Sequence, residues 1–279
     1  MTHHIRKRFG QHFLSNPRIL SRIVDVLDPG PGDHVLEIGP GQGALTAELV
    51  KRGVRLTAIE VDRDLVPVLR ERFPSAEIIE GDALDLDWHD LMRPIVSSSH
   101  RLNHSGAGFL VTGNIPYNIT SPLLDKALLP PRPARIVFLV QKEVADRITA
   151  KAGTGNYGAL TVGIQSVARA ERLFRVPAGA FHPPPKVDSA VVRLTPLDQP
   201  LVTDSETTGF RRFVTGLFGF RRKQLGRAMR ELTGWPAERV SAVIGTLHLE
   251  ATTRAEVLEP AQFVALFHEL DRDLSQTRS

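Results

Sequence analysis

The run His34–Ile38 (HVLEI) breaks on Gly39-Pro-Gly-Gln-Gly43 and re-enters at once as the amphipathic run Ala44–Arg52. A β-branched strand that turns on closely spaced glycines into a helix leaves few folds open. The alternation then continues. Val54–Glu60 reads as a strand, Asp62–Phe73 as a helix with Asp62 as its N-cap, and Ala76–Glu80, Phe109–Gly113 and Ala134–Gln141 as further strands. A helix over Ser121–Leu129, with Pro122 at its first position, separates the last two. Such alternation predicts an α/β fold with a doubly wound, mostly parallel sheet and right-handed crossovers.

Beyond Gln141 the pattern changes. A helix over Lys142–Ala150 leads to two β-rich stretches, Leu160–Ala168 and Ser189–Thr195, joined through Phe181-His-Pro-Pro-Pro185, which is too stiff to be a strand itself. Pro196–Ser205 is linker-like, and only helical patterns follow, one ending near Gly219 and another spanning Arg221–Leu232. The expected division is therefore a sheet domain over 1–200 and a small all-helical C-terminal domain over 201–279. Ser97–Gly108 is a polar loop insertion. Its His100 and His104 have a spacing that suits a metal, but no third ligand is near, so no metal is expected.

Composition narrows the function classes. The chain is 42% hydrophobic with a net charge of only +4, which favours collapse over disorder. It has no cysteine, which excludes disulfides, thiol catalysis and cysteine-held zinc or iron–sulfur sites. No apolar run reaches the roughly 18 residues that span a bilayer, and the basic start Met1–Arg8 leads into no apolar segment. A cytoplasmic monomer with no membrane attachment is the expectation. The charge is unevenly spread. Residues 211–230 carry Arg211, Arg212, Arg221, Arg222, Lys223, Arg227 and Arg230 without one acid, and Arg6-Lys7-Arg8 forms a second knot. A single basic cluster is commonly just a solvated face, but two favour a polyanion, nucleic acid first.

The glycine loop suggests what the sheet binds. Gly39, Gly41 and Ala44 satisfy the looser dinucleotide fingerprint, so NAD stays open here, as does a tight turn with no ligand. Glu60, 21 residues after Gly39, stands where an acid accepts ribose hydroxyls. Asp82, in Gly81-Asp-Ala83 after the third strand, offers a carboxylate to an adenine amino group. Together they fit an adenosine-bearing cofactor, S-adenosylmethionine better than NAD. After the fourth strand comes Asn114-Ile-Pro-Tyr117. An exocyclic amine is a weak nucleophile because its lone pair is delocalised into the ring. Two acceptors on its N–H groups, the Asn114 side-chain oxygen and the Ile115 carbonyl, would let the nitrogen move toward tetrahedral geometry. Tyr117 offers a face for the base to stack on. Taken alone, the same four residues also make a β-turn with a tyrosine lid.

Gly10-Gln-His-Phe-Leu14, Glu37-Ile-Gly-Pro-Gly41, Asn114-Ile-Pro-Tyr117, Gln141-Lys-Glu143 and Phe181-His-Pro-Pro-Pro-Lys-Val-Asp-Ser189 occur in one order. In that order the chain resembles the ribosomal RNA adenine dimethyltransferases, from Arg6 to Leu194 and on into Phe220-Arg-Arg-Lys223. It is most similar to the bacterial small-subunit group. The resemblance implies a Rossmann-like methyltransferase sheet and dimethylation of N6 on two adjacent adenosines in a hairpin near the 3′ end of 16S rRNA, within a pre-ribosomal particle. It also implies roles. His12, Leu14, Gly39 and Gly41 would contact S-adenosylmethionine, Glu60 its ribose, Asp82 its adenine, and Asn114 both cofactor and target amine. Tyr117 and Phe181 would sandwich the flipped base. Arg6, Lys7, Arg8, Arg221, Arg222 and Lys223 would neutralise RNA phosphates, with Arg221–Lys223 opening a helix. His12 departs from the asparagine common in the family, and a neutral imidazole nitrogen cannot both donate and accept as an amide does.

Three other readings compete. A sister enzyme would methylate large-subunit RNA and confer antibiotic resistance; the fuller Phe-Arg-Arg-Lys segment and the triple proline favour the small subunit. Methylation of DNA adenine or protein glutamine is disfavoured by Ile115, where those enzymes carry proline. An assembly factor that acts mainly by binding would keep its effect without Asn114.

Overall fold

The computed structural model describes residues 12–88, 90–92 and 108–276. Arg6, Lys7 and Arg8 lie outside that range, as does the polar insertion with His100 and His104, apart from Gly108. The chain divides into two compact units. Unit 1 comprises Met1–Ala145 and Arg169–Pro196, and unit 2 comprises Asp146–Ala168 and Leu197–Ser279.

In unit 1, β1 (Phe13–Leu14) precedes α1 (Pro17–Leu27). Asn16 caps that helix by accepting from the N–H groups of Arg18 and Ile19, and Pro17 fits the first turn, where no N–H is needed. Its face of Leu20, Ile23, Val24 and Leu27 is buried against the sheet. Then follow β2 (His34–Ile38), α2 (Ala44–Lys51), β3 (Arg55–Glu60), α3 (Val66–Arg72), β4 (Glu77–Glu80), β5 (Leu110–Asn114), α4 (Thr120–Ala127), β6 (Arg135–Gln141) and α5 (Lys142–Ile148), whose residues from Asp146 on are counted in unit 2. The seven-stranded sheet has the order β4-β3-β2-β5-β6-β9-β7, where β7 is Ala168–Val176 and β9 is Ser189–Pro196. The first five strands run parallel, and β9 pairs antiparallel with β6. Central strands buried on both faces read as unbroken apolar runs, as Ile136 to Val140 does. The expected α/β architecture is therefore present.

Strand order decides where a ligand goes. From β2 the chain moves outward through β3 and β4, then returns to add β5 on the other side of β2. At such a reversal the connections leave in opposite directions and open a crevice at the carboxyl ends of the strands. Here those ends carry the glycine loop after β2 and Asn114 at the end of β5.

Four expectations fail in the second half, the last of them at Arg221–Lys223. Leu160–Ala168 is not a strand: α6 (Ala159–Gln165) occupies it. Thr161, Val162, Gly163 and Ile164 are all buried, and a short helix buried all round shows no 3.6-residue period to separate it from a buried strand. The strand is instead β7, at the sheet edge, whose Arg169, Arg172 and Arg175 are exposed. Phe181–His182 does form a strand, β8, despite the prolines that follow; it pairs antiparallel with β1, Leu14 opposite Phe181. The boundary expected at residue 200 lies close to Pro196, but residues 146–168 belong with the C-terminal helices. The reason is local bonding: the Tyr157 hydroxyl donates to the Leu258 carbonyl (2.7 Å) and Gly153 N–H to Glu256 O (2.7 Å).

Unit 2 also holds α7 (Thr207–Gly219), α8 (Leu225–Thr233), α9 (Ala237–Thr246) and α10 (Pro260–Gln276). Phe210, Phe213 and Phe267 meet ring to ring in its core, and Phe218 stacks on Phe263 at 5.5 Å. Arg221–Lys223 does not open a helix. The three residues form the turn between α7 and α8, because Gln224 is extended and α8 starts only at Leu225.

Candidate active site

The crevice in unit 1 is a cavity of about 540 Å³, lined by the glycine loop, Glu37, Glu60, Asp82, Asn114 and Tyr117 among others. Its size lies within the range of small-molecule sites. Gly39, Gly41 and Gly43 all have left-handed backbone (φ +67°, +57° and +75°), which is why the turn from β2 into α2 needs glycine. Their amides are already used. Gly39 N–H donates to Ile59 O, Gly43 N–H to Pro40 O, and Gly41 N–H to Glu60 Oε2 at 2.8 Å. A dinucleotide pyrophosphate needs such amides free, and here it would also meet two carboxyl groups. The loop therefore suits an adenosine cofactor without phosphate better than NAD.

Glu60 ends β3 with 3% exposure. Its Oε2 accepts from Gly41 and its Oε1 from Asp62 N–H at 2.8 Å, which fixes the carboxylate and leaves one lone pair on each oxygen. Burial pushes its pKa above the usual carboxylate range, against the pull of those two bonds. Asp82 Oδ1 accepts from Leu84 N–H (2.8 Å), leaving Oδ2 for a ligand. The segment behind it is fastened from two sides. Trp88 Nε1–H donates to Ala83 O (2.9 Å), and the Lys126 ammonium on α4 donates to Leu84 O (2.7 Å) and Leu86 O (2.6 Å).

Asn114 sits at the mouth of β5. Its Nδ2 donates to the His12 carbonyl at 2.7 Å. A carbonyl can only accept, so the amide must turn its NH₂ to His12, and Oδ1 remains as an acceptor with no hydrogen-bond partner among the described residues. The Ile115 carbonyl likewise has none among them. The His12 Nδ1–H in turn donates to Pro183 O (2.8 Å), which places the neutral imidazole's acceptor at Nε2. The ring of Tyr117 stacks on His12 (centroids 5.8 Å, 28°), and its hydroxyl bonds Ser189 Oγ at 2.9 Å. Burial raises the Tyr117 pKa.

The structure thus brings together His12, Leu14, Gly39, Gly41, Glu60, Asp82, Asn114 and Tyr117 around one cavity. Phe181 is placed differently. It is 5% exposed and packs in the core with Leu14, Ala180 and Val191, while its neighbour His182 lines the cavity. The cause is the β1–β8 pairing, which turns alternate side chains inward.

In unit 2 the basic cluster is less free than its sequence implies. Arg221 donates through Nε to Glu256 Oε2 (2.8 Å) and through Nη2 to Gly155 O (3.0 Å). Lys223 pairs with Glu231, which also holds Arg227. Only Arg222 of the three has neither ion pair nor hydrogen bond among the described residues, and it is exposed.

Sequence reasoning named no role for Glu37, although an acid inside the apolar strand HVLEI is itself a signal. Glu37 is 1% exposed and accepts from the Thr46 hydroxyl (2.7 Å). Burial pushes its carboxyl up to about 8, opposed by the Thr46 bond and helped by the nearby Glu60. Between its ordinary value of 4.5 and about 8 the folded chain therefore holds a proton that the unfolded chain has released. The site's contribution to stability is complete below pH 4.5 and is lost as pH rises to about 8. Glu37→Gln keeps the shape without titrating. It is expected to flatten the decline of Tm across that window, which in the parent is worth on the order of a few kcal/mol. Parallel Tm–pH curves for the two proteins would show that Glu37 does not titrate there.

Residues 2–272 match the family described as ribosomal RNA adenine dimethylase. The chain belongs to that family. Among the adenine dimethylase relatives, "Ribosomal RNA small subunit methyltransferase A" of Geobacter metallireducens is 41% identical over 267 residues, 94% of each chain. The protein of the same name from Aromatoleum aromaticum is 42% identical over 267 residues, 95% of this chain and 93% of its own. Of solved structures, a dimethyladenosine transferase from Plasmodium falciparum superposes with TM-score 0.77 at 26% identity, covering 94% of this chain and 98% of that one. The 23S rRNA methyltransferase ErmE gives TM-score 0.67 at 28% identity, covering 93% and 99%.

Proposed function

We propose that the chain transfers methyl groups from S-adenosylmethionine to N6 of two adjacent adenosines in a hairpin near the 3′ end of 16S rRNA. It does so as a single copy, in the cytoplasm, on an assembling small subunit. The observation that carries the reading is the Asn114 amide, held by His12 so that its oxygen is the acceptor left at the cavity. Oδ1 and the Ile115 carbonyl take the two N6–H bonds of the target adenine and direct the nitrogen lone pair at the methyl carbon. The cofactor supplies an electrophilic methyl on a sulfonium. As the new C–N bond forms, the C–S bond breaks, and an N6 proton leaves to solvent. Glu60 holds the ribose hydroxyls and Asp82 the adenine amine, so positioning rather than a strong base provides the rate. The base stacks on Tyr117, whose tilt Ser189 sets. Among the described residues no helix is long and apolar enough to cross a membrane, and no group of three His, Asp or Glu is placed to hold a metal.

The small subunit is favoured over the large one by the relatives of 41–42% identity over nearly the full chain, named for the small subunit; the 23S enzyme stands at 28%. Incubation with labelled S-adenosylmethionine and unmethylated small or large subunits tests the reading: label is expected in the small-subunit RNA alone. A second check concerns Lys126. Lys126→Met leaves Leu84 O behind Asp82 without its donor and Leu86 O with Trp88 N–H alone, and is expected to raise KM for S-adenosylmethionine roughly tenfold with a smaller change in kcat. Steady-state kinetics at saturating RNA would show this, and an unchanged KM would free the Asp82 loop from Lys126.

A further inference from the structure

Three carboxyl groups line the cavity of unit 1, and the transfer described above gives tasks to two of them, Glu60 and Asp82. Glu37 has none. It is 1% exposed and has no ion pair among the described residues. It shares a face of β2 with Val35, which packs with Leu20, Ile23 and Leu45 in an apolar cluster. Its register neighbours are Ala58 on β3 and Thr112 on β5, and α2 contributes the Thr46 hydroxyl that donates to its Oε2. The charged neighbour that acts on it is Glu60, another acid. The cations on the cavity wall are turned elsewhere. Arg72 donates to Gln42 O (2.9 Å) and lies over the Phe73 ring, His12 donates to Pro183 O, and His182 is exposed. A carboxylate enclosed like this is costly until a positive charge arrives from outside.

The strand order says which positive charge that would be. β2 lies between β3, whose last residue Glu60 holds the ribose, and β5, whose last residue Asn114 receives the methyl acceptor. In the cofactor the sulfur joins the ribose to the transferred methyl, so it must lie between those two groups, over the end of β2. Glu37 is the polar side chain that β2 offers to the cavity there.

We infer that Glu37 is the group by which this cavity prefers a sulfonium to the neutral thioether left after transfer. The inference rests on the S-adenosylmethionine reading above and gives that site a determinant of donor over product. In the empty cavity the carboxyl carries a proton, in keeping with a pKa of about 8 that burial causes and Glu60 reinforces. When the cofactor enters, that proton leaves to solvent and the carboxylate faces the sulfonium. Methyl transfer takes the charge off sulfur. The carboxylate then takes up a proton again, and the thioether is held less tightly than the donor was.

The test is calorimetric titration of the parent and Glu37→Gln with S-adenosylmethionine and with S-adenosylhomocysteine, in two buffers of different ionisation enthalpy. A pH of about 6.5 keeps the amino group of either ligand protonated. The parent is expected to release close to one proton with the sulfonium ligand and none with the thioether. Glu37→Gln is expected to bind the sulfonium ligand roughly tenfold more weakly, the thioether about as the parent does, and to release no proton with either. A ratio of the two affinities equal to the parent's overturns the inference. That includes the case in which both fall together, which would put Glu37 at the ammonium the ligands share. The proton count is read in the parent, so equal release with both ligands overturns the inference even if Glu37→Gln does not fold. A parent that binds neither ligand overturns the S-adenosylmethionine reading itself.

Discussion

Asn114→Ala is expected to lower the rate of methyl transfer by about 10²–10³-fold, the cost typical of losing one preorganised hydrogen-bonding group at the reacting centre. The loss should fall on kcat. On the proposed reading, binding of S-adenosylmethionine rests mainly on Glu60, Asp82 and the glycine loop, so its Kd should change far less. The substitution also removes the tie from Nδ2 to the His12 carbonyl, which joins the end of β5 to the segment leading into β1. Asn114→Asp separates the two effects. It restores an acceptor for the target amine, but a carboxylate cannot donate to His12 O and repels it. If the tie matters, the Asp variant stays close to the Ala variant; if only the acceptor matters, it recovers. Single-turnover methylation of unmethylated small subunits, with cofactor affinity measured alongside, distinguishes these outcomes. An Ala variant that transfers methyl at the parent's rate would remove Asn114 from the chemistry.

Glu60→Gln has the second large effect. Each Glu60 oxygen accepts a backbone N–H, from Gly41 on one side and Asp62 on the other. A glutamine supplies one acceptor and must turn its NH₂ toward the other donor. One buried N–H is then unsatisfied, at a cost of about 1–3 kcal/mol, and the glycine loop loses a fixed point. On the proposed reading the ribose loses an acceptor as well. Kd for S-adenosylmethionine is expected to rise about 10–100-fold by calorimetry, with a lower Tm for the unliganded chain. An unchanged Kd would mean that the ribose is held elsewhere.

Much of this site is legible in sequence because its residues stand where strands end. Gly39, Glu60, Asp82 and Asn114 each follow a β-branched run, and in a parallel sheet all such ends meet at one edge. That logic needs only strand order and polarity, and the structure adds the reversal at β2 that opens the crevice. What stays hidden depends on contacts between distant segments. Nothing in the local pattern around Lys126 says that it caps carbonyls some 40 positions earlier, with separations of 42 and 40 residues. Nor does the run Arg221–Lys223 reveal that two of its three cations already have acidic partners. Phe181 illustrates the converse: motif position suggests a stacking surface, whereas pairing of β8 with β1 turns its ring into the core and brings His182 to the cavity. The 159–165 helix and the Ala168–Val176 strand escape a reading of periodicity for opposite reasons. The helix is buried all round and the edge strand is charged, so neither shows the alternation that burial on one face imprints.

The most direct test of the account is the product itself. After incubation of S-adenosylmethionine and purified protein with small subunits lacking the modification, nuclease digestion and mass spectrometry of the RNA would locate the added methyls. The account predicts N6,N6-dimethyladenosine at two adjacent positions in a hairpin near the 3′ end, absent with Asn114→Ala. Methyls confined to large-subunit RNA, or none at all despite tight binding to the small subunit, would contradict it.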